Sequence, residues 1–153
     1  MKLQIPGDGE LELKTLILDL NGTITVRGKL IEGVQERLGL IKDKGLEIFL
    51  FSGDTRGTAA NIAQQLGIEI KIALNGEDKQ KIAEGLEPAT CVAIGNGLID
   101  VPLFQKVGLA IAVLQAEGLH RECLEAADII VPSILDALDL LIDEPSLIAT
   151  LRP

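Results

Sequence analysis

Six short aliphatic runs return along this chain: Leu16–Leu18, Leu46–Phe51, Ile68–Ala73, Cys91–Ile94, Leu109–Val113 and Ile129–Val131. Helix-like stretches lie between and after them, and this alternation constrains the fold more than any other feature. Leu30–Lys44 carries apolar positions at 30, 31, 34, 38 and 41 and stops at Gly45, which predicts a helix. Further helices are predicted over Thr55–Leu66, about Glu77–Leu86, about Val101–Lys106, around Leu119–Ala127 and over Ser133–Ile142. Asp54 or Thr55 is the expected N-cap of the helix ending before Gly67. Strand-helix alternation with short connections specifies an α/β fold: a mostly parallel sheet with helices on both faces. Ahead of it, Lys2–Ile5 and Glu10–Lys14 flank Pro6-Gly7-Asp8-Gly9 and read as a small antiparallel hairpin.

Composition agrees. Hydrophobic residues make up 47 % of 153 residues, with three Phe and no Trp or Tyr, so the core is aliphatic, as in a sheet buried on both faces. The length favours one domain, 1–153, with the hairpin at 1–14 and a tail at 144–153. A net charge of −9, with no basic cluster longer than two residues, argues against nucleic acid and anionic membranes as partners. No apolar run approaches the ~18 residues of a membrane span. Cys91 and Cys123 supply neither a disulfide framework nor metal-ligand spacing. With no secretory leader pattern at the N-terminus, the expected compartment is the cytoplasm.

Ligands of such sheets bind beyond the carboxyl ends of the strands. Three polar clusters sit there: Asp19-Leu20-Asn21, Ser52-Gly53-Asp54 and Gly95-Asn96-Gly97. The first also has a local reading, because Leu16–Leu20 and Thr23–Val26 flank Asn21-Gly22, a strong hairpin signal. Together the clusters suit phosphoryl transfer through an aspartyl phosphate. That chemistry needs a carboxylate nucleophile, a divalent cation, donors to the transferring oxygens and a balancing lysine. Asp19 could supply the first, and Asp100 could help to hold the cation beside the neutral Asn96. Ser52 and the backbone of Asn21 and Gly22 could supply donors, and Lys79 or Lys81 the positive charge.

Carried by these residues, the chain resembles the haloacid dehalogenase superfamily of phosphohydrolases. Within it, the chain is most similar to the phosphorylation domain of P-type ATPases in stand-alone form. Asp19-Leu20-Asn21-Gly22-Thr23-Ile24-Thr25 resembles the phosphorylation motif. Phe51-Ser52-Gly53-Asp54 with Ile62–Ile68 resembles the second motif and its helix. Glu77-Asp78-Lys79 resembles the third, and Ala93–Asp100 with Pro102-Leu103 the fourth. The resemblance covers roughly residues 15–132.

It implies a three-layer, Rossmann-like α/β fold. It also implies magnesium-dependent hydrolysis of a phosphoester on a small molecule or phosphoprotein, through phosphorylated Asp19. In that role set Asp19, Asn21, Ser52 and Lys79 are catalytic. Gly22, Thr23, Ser52, Gly53 and Lys79 contact the phosphoryl group. Asp19, the Asn21 carbonyl, Asn96 and Asp100 hold Mg2+.

Three departures from the family pattern matter. Asn21 stands where the family's phosphatases carry an acid-base aspartate, and an amide carries no proton at neutral pH. Asn96 stands where a metal-binding aspartate is usual, which implies a weaker magnesium site. Only 28 residues separate Thr23 from Ser52 and 26 separate Ser52 from Lys79, so neither gap holds a cap or a nucleotide-binding domain. Ion pumping is thereby excluded, and slow hydrolysis is expected. The rival reading is a catalytically blunted module for phosphate sensing or partner binding. The apolar tail Ser146–Leu151 has two readings, a homo-oligomer interface that lids the site or packing on its own sheet.

Overall fold

The computed structural model describes residues 1–54 and 57–153. Thr55 and Arg56, and with them the expected helix start and N-cap at Thr55, lie outside the described residues.

Strands β1 (Lys2–Ile5) and β2 (Gly9–Glu12) form the antiparallel hairpin. The main sheet holds six strands: β3 (Thr15–Asp19), β6 (Glu47–Ser52), β7 (Glu69–Ile72), β8 (Cys91–Gly95), β9 (Leu109–Val113) and β10 (Ile129–Val131). Their order is β10-β9-β8-β3-β6-β7, and every pairing is parallel. The chain leaves β3 towards β6 and β7, then returns to β3's other side with β8. Strand order therefore reverses beside β3, and Asp19 ends that strand at the switch point.

Helices α1 (Val34–Asp43), α2 (Thr58–Leu66), α6 (Ile134–Ile142) and α7 (Glu144–Leu151) cover one face. Helices α3 (Gly76–Glu84), α4 (Val101–Phe104) and α5 (Arg121–Ala126) cover the other. Alternation along each strand divides the core between the faces. Leu16, Leu18, Ile48, Leu50, Val92, Ile94, Leu109, Ile111 and Val113 face the first layer. Ile17, Phe49, Phe51, Cys91, Ala93, Ala110 and Ala112 face the second.

The structure decides two open readings and moves one helix start. First, Asn21-Gly22 does not join two strands of a hairpin. β3 pairs only with parallel neighbours, and the hairpin forms one turn later, between β4 (Thr25–Val26) and β5 (Lys29–Leu30). Second, α1 begins at Val34 rather than Leu30. Leu30 belongs to β5, and Gly33, at φ 91°, breaks the backbone before the helix. Third, the tail is the helix α7, with Leu147 fully buried in the chain's own core. Among the described residues no helix is long and apolar enough to cross a membrane.

Candidate active site

Asp19 leaves the sheet at a turn folded back on one carbonyl. The Thr25 N–H and the Thr25 hydroxyl both donate to the Leu20 carbonyl at 3.0 Å, and the Gly22 N–H donates to the Thr25 carbonyl at 2.9 Å. Gly22 takes φ 76°, and a Cβ there would press into the Asn96 amide, so glycine is required for both conformation and room. The tip of the β4–β5 hairpin, Arg27-Gly28, also has positive φ at both residues and brings Gly28 to the site.

The resulting cavity has a volume of about 620 Å³. Asp19, Asn21, Ser52, Gly53, Lys79 and Asn96, drawn from four separate segments, all line it. Gly22, Thr23 and Asp100 are buried just behind its wall. Lys79, not Lys81, reaches the cavity: Lys81 is exposed on α3, whereas the Lys79 side chain is 1 % exposed. Its Nζ lies 2.7 Å from Asp19 Oδ1 and 2.6 Å from Asp100 Oδ1. Burial and the nearby Asp100 charge push the Asp19 carboxyl up to about 6, against the pull of Lys79. Desolvation would lower the Lys79 pKa, but the two carboxylates more than offset it and hold it above its ordinary value.

Asp100 does not face the cavity. Its Oδ1 takes Lys79, and its Oδ2 accepts from the Asn96 N–H at 3.1 Å and the Gly97 N–H at 3.0 Å. Gly95 is the residue that makes room, since a Cβ there would collide with that carboxylate. Ser52 is buried, and its Oγ accepts from the Asp54 N–H at 3.1 Å. Asp54 Oδ2 accepts from the Ala59 N–H at 2.8 Å, in the first turn of α2. The Thr23 hydroxyl stands 3.2 Å from both Asp19 Oδ2 and Asn96 Oδ1. These two oxygens therefore flank one hydroxyl, and Asn21 lines the same cavity; a carboxylate with amide and carbonyl oxygens is a hard-oxygen donor chemistry that suits magnesium. Among the described residues, no cluster of three or more His, Cys, Asp or Glu is arranged to hold a metal. Such a set would lean on neutral oxygens.

One contributor carries no sequence signal. Gln115, in the loop after β9, donates to the Gly22 carbonyl at 2.8 Å and the Thr23 carbonyl at 2.6 Å. A glutamine in a polar loop cannot be told from a solvated one by its neighbours in sequence.

A six-stranded parallel sheet with an aspartate at its switch point, paired to a buried lysine, defines a Rossmann-like α/β domain whose polar site lies at the carboxyl ends of its strands. The haloacid dehalogenase-like hydrolase family model matches residues 5–108, and the chain belongs to that family. The chain is 30 % identical over 135 residues to a soluble P-type ATPase-like phosphatase of Methanocaldococcus jannaschii, covering 85 % of this chain and 50 % of that protein. It is 33 % identical over 114 residues to a copper-exporting P-type ATPase of Staphylococcus aureus, covering 72 % of this chain and 14 % of the pump. The chain thus spans half or less of the length of these relatives. In fold it is similar to the 3-deoxy-D-manno-octulosonate 8-phosphate phosphatase of Moraxella catarrhalis, solved with magnesium and phosphate ions. The TM-score is 0.70 at 18 % identity, covering 92 % of this chain and 94 % of that one. It is likewise similar to an apo phosphoserine phosphatase, with a TM-score of 0.71 at 17 % identity, covering 85 % of this chain and 98 % of that one.

Proposed function

We propose that this chain hydrolyses a phosphoester of a small molecule or phosphoprotein through Asp19, with Mg2+ as cofactor. The observation that carries the reading is the buried Lys79 ammonium held against Asp19 at the floor of an open, oxygen-lined cavity. Asp19 attacks phosphorus, the bond to the leaving oxygen breaks, and an acyl phosphate forms on Asp19. Water then attacks phosphorus and returns the carboxylate. Lys79 offsets the charge of the phosphoryl oxygens, and Ser52, with the Gly53 backbone, positions them; the Gly22 and Thr23 N–H groups are spent inside their own turn, which shapes the site from behind. With Asn21 in the acid-base position, the leaving oxygen takes its proton from solvent and the attacking water has no side-chain base, so turnover is slow. Bound at Asp19, the Asn21 carbonyl and Asn96, magnesium would supply the remaining positive charge. Asp100 serves this site through Lys79 and the Asn96-Gly97 backbone.

The test is phosphate release from p-nitrophenyl phosphate with magnesium, against Asp19→Ala. A loss of at least about 1,000-fold is expected. Release that survives Asp19→Ala would sink the reading. A second reading, a module that binds phosphate without turning it over, is favoured by Asn21, which lines the cavity but cannot relay a proton. Asn21→Asp separates them: a gain of about 100-fold or more in turnover marks an enzyme held slow, and none marks a binding module.

A further inference from the structure

From the loop after β9, Gln115 ties the nucleophile turn to the N-terminus of α6. Its Nε2 gives both hydrogens to the nucleophile turn, at the Gly22 and Thr23 carbonyls, 2.8 and 2.6 Å away. Its Oε1 accepts from the Ile134 N–H at 3.0 Å, the first helical residue of α6. Two carbonyls on one side and an N–H on the other fix the orientation of the amide. They also fix the residue type. A carboxylate of the same length has no hydrogen to give, and a lysine or arginine cannot accept. The surrounding loop repeats the pattern. Glu117 Oε2 accepts from the Arg27 N–H at the hairpin tip at 2.9 Å, and Asn96 Nδ2 donates to the Gly118 carbonyl at 3.0 Å. The His120 N–H donates back to the Asn96 carbonyl at 2.9 Å. Residues 114–120 are therefore fastened to the nucleophile turn, the hairpin over the site and the loop after β8.

The consequence reaches the reacting atom in two bonds. Gln115 fixes the Thr23 peptide, and the Thr23 hydroxyl lies 3.2 Å from Asp19 Oδ2 and from Asn96 Oδ1. A hydroxyl has one hydrogen, so it orients one of the two oxygens at a time. Its place between them is set by where the Thr23 backbone stands. Resting on the hydrolytic reading above, we propose that Gln115 is a positioning residue: it braces the nucleophile turn against α6 and so aims the Asp19 carboxylate.

Gln115→Glu keeps the acceptor for Ile134 and removes both donors; Gln115→Met removes all three bonds. Ser133→Ala is the control, because it weakens the N-terminus of α6, where Ser133 Oγ accepts from the Asp136 N–H, without touching the turn. With p-nitrophenyl phosphate and saturating magnesium, both Gln115 variants should lose about 10- to 100-fold in kcat, with KM within about threefold. Ser133→Ala should melt lower with kcat within about twofold of wild type. Gln115 variants that keep wild-type kcat, or a Ser133→Ala that loses as much, overturn the proposal while the hydrolytic reading stands. Failure of both Gln115 variants to fold while Ser133→Ala folds assigns Gln115 a structural role only and overturns it too. If wild type hydrolyses nothing, the hydrolytic reading falls. Beryllium fluoride with magnesium then decides Gln115 alone. A thermal shift in wild type that Gln115→Glu loses supports the brace; a shift that it keeps, or none in wild type, ends it.

Discussion

Asp100 grips Lys79 rather than the cavity: Asp100 Oδ1 and Lys79 Nζ are 2.6 Å apart, and both side chains are 1 % exposed. The same ammonium holds Asp19, so one cation separates two buried carboxylates. Replacing it strands both. Lys79→Met should destabilise the protein by about 3–5 kcal/mol at neutral pH. Part of that should return in acid, where one carboxyl takes up a proton. Urea melts at two pH values measure this. A loss below about 1 kcal/mol at pH 7.5 would mean that the pair is solvated, contrary to its burial.

Asn96 is tied at both ends, accepting from Thr23 and donating to the Gly118 carbonyl. Asn96→Asp therefore has two opposed effects. Without metal it sets a carboxylate oxygen against that carbonyl, at a cost of about 1–3 kcal/mol. With magnesium it adds a full ligand charge, which should tighten binding. Melting each form across a magnesium titration shows the crossing. Stability lost equally with and without metal would remove Asn96 from the ligand set.

The pH dependence of metal-free stability follows from Asp19. Its carboxyl is raised from 3.8 to about 6, so between those values the folded chain binds a proton that the unfolded chain has released. The protonated group's stabilising share is whole below about pH 4 and is lost as pH rises through about 6. Asp19→Asn does not titrate. The stability of wild type relative to Asp19→Asn should thus fall as pH rises from 4 to 7, by at most about 3 kcal/mol. Denaturant melts in EDTA report the slope, and a rise in place of a fall would show that Lys79 dominates.

Leu147 tests the C-terminal helix. It is fully buried against the same cluster as β1 and α6, so Leu147→Ala should cost about 2–5 kcal/mol. Leu147→Asp should unfold the chain rather than yield a folded monomer. A loss under about 1 kcal/mol would mean that α7 docks only loosely.

These particulars also mark what the sequence could carry. The six parallel strands were legible because each is a short aliphatic run, and Asp19, Ser52 and Asn96 because each lies at or just past the end of such a run. Lys79 was separable from Lys81 only once the pitch of α3 set which of them turns inward. The hairpin reading of Asn21-Gly22 fails because the local signal for a hairpin does not include the two parallel neighbours that claim both edges of β3. Leu30 and Ile31 fit a helical stripe by spacing, and only the left-handed backbone at Gly33 separates them from it. Ser146–Leu151 stays open between an interface and the chain's own core in the sequence, because apolarity does not say which apolar surface it meets; the buried Leu147 decides for the core. Gln115 was silent because its three bonds span 92, 93 and 19 positions of chain.

The two sides of the sheet will not age alike under mutation. Towards α6 and α7 the strands present leucine, isoleucine and valine, a surface where one branched chain can stand in for another. Towards α4 and α5, β8 and β9 present Cys91, Ala93, Ala110 and Ala112, and those helices lie close because nothing larger intervenes. An added methyl there would crowd a fully buried cluster that includes Leu103 and Phe104 of α4, the helix that follows Asp100. Drift on that side would lower the melting temperature and, through Asp100, also disturb Lys79, so a lineage changing there would put its fold and its chemistry at risk together.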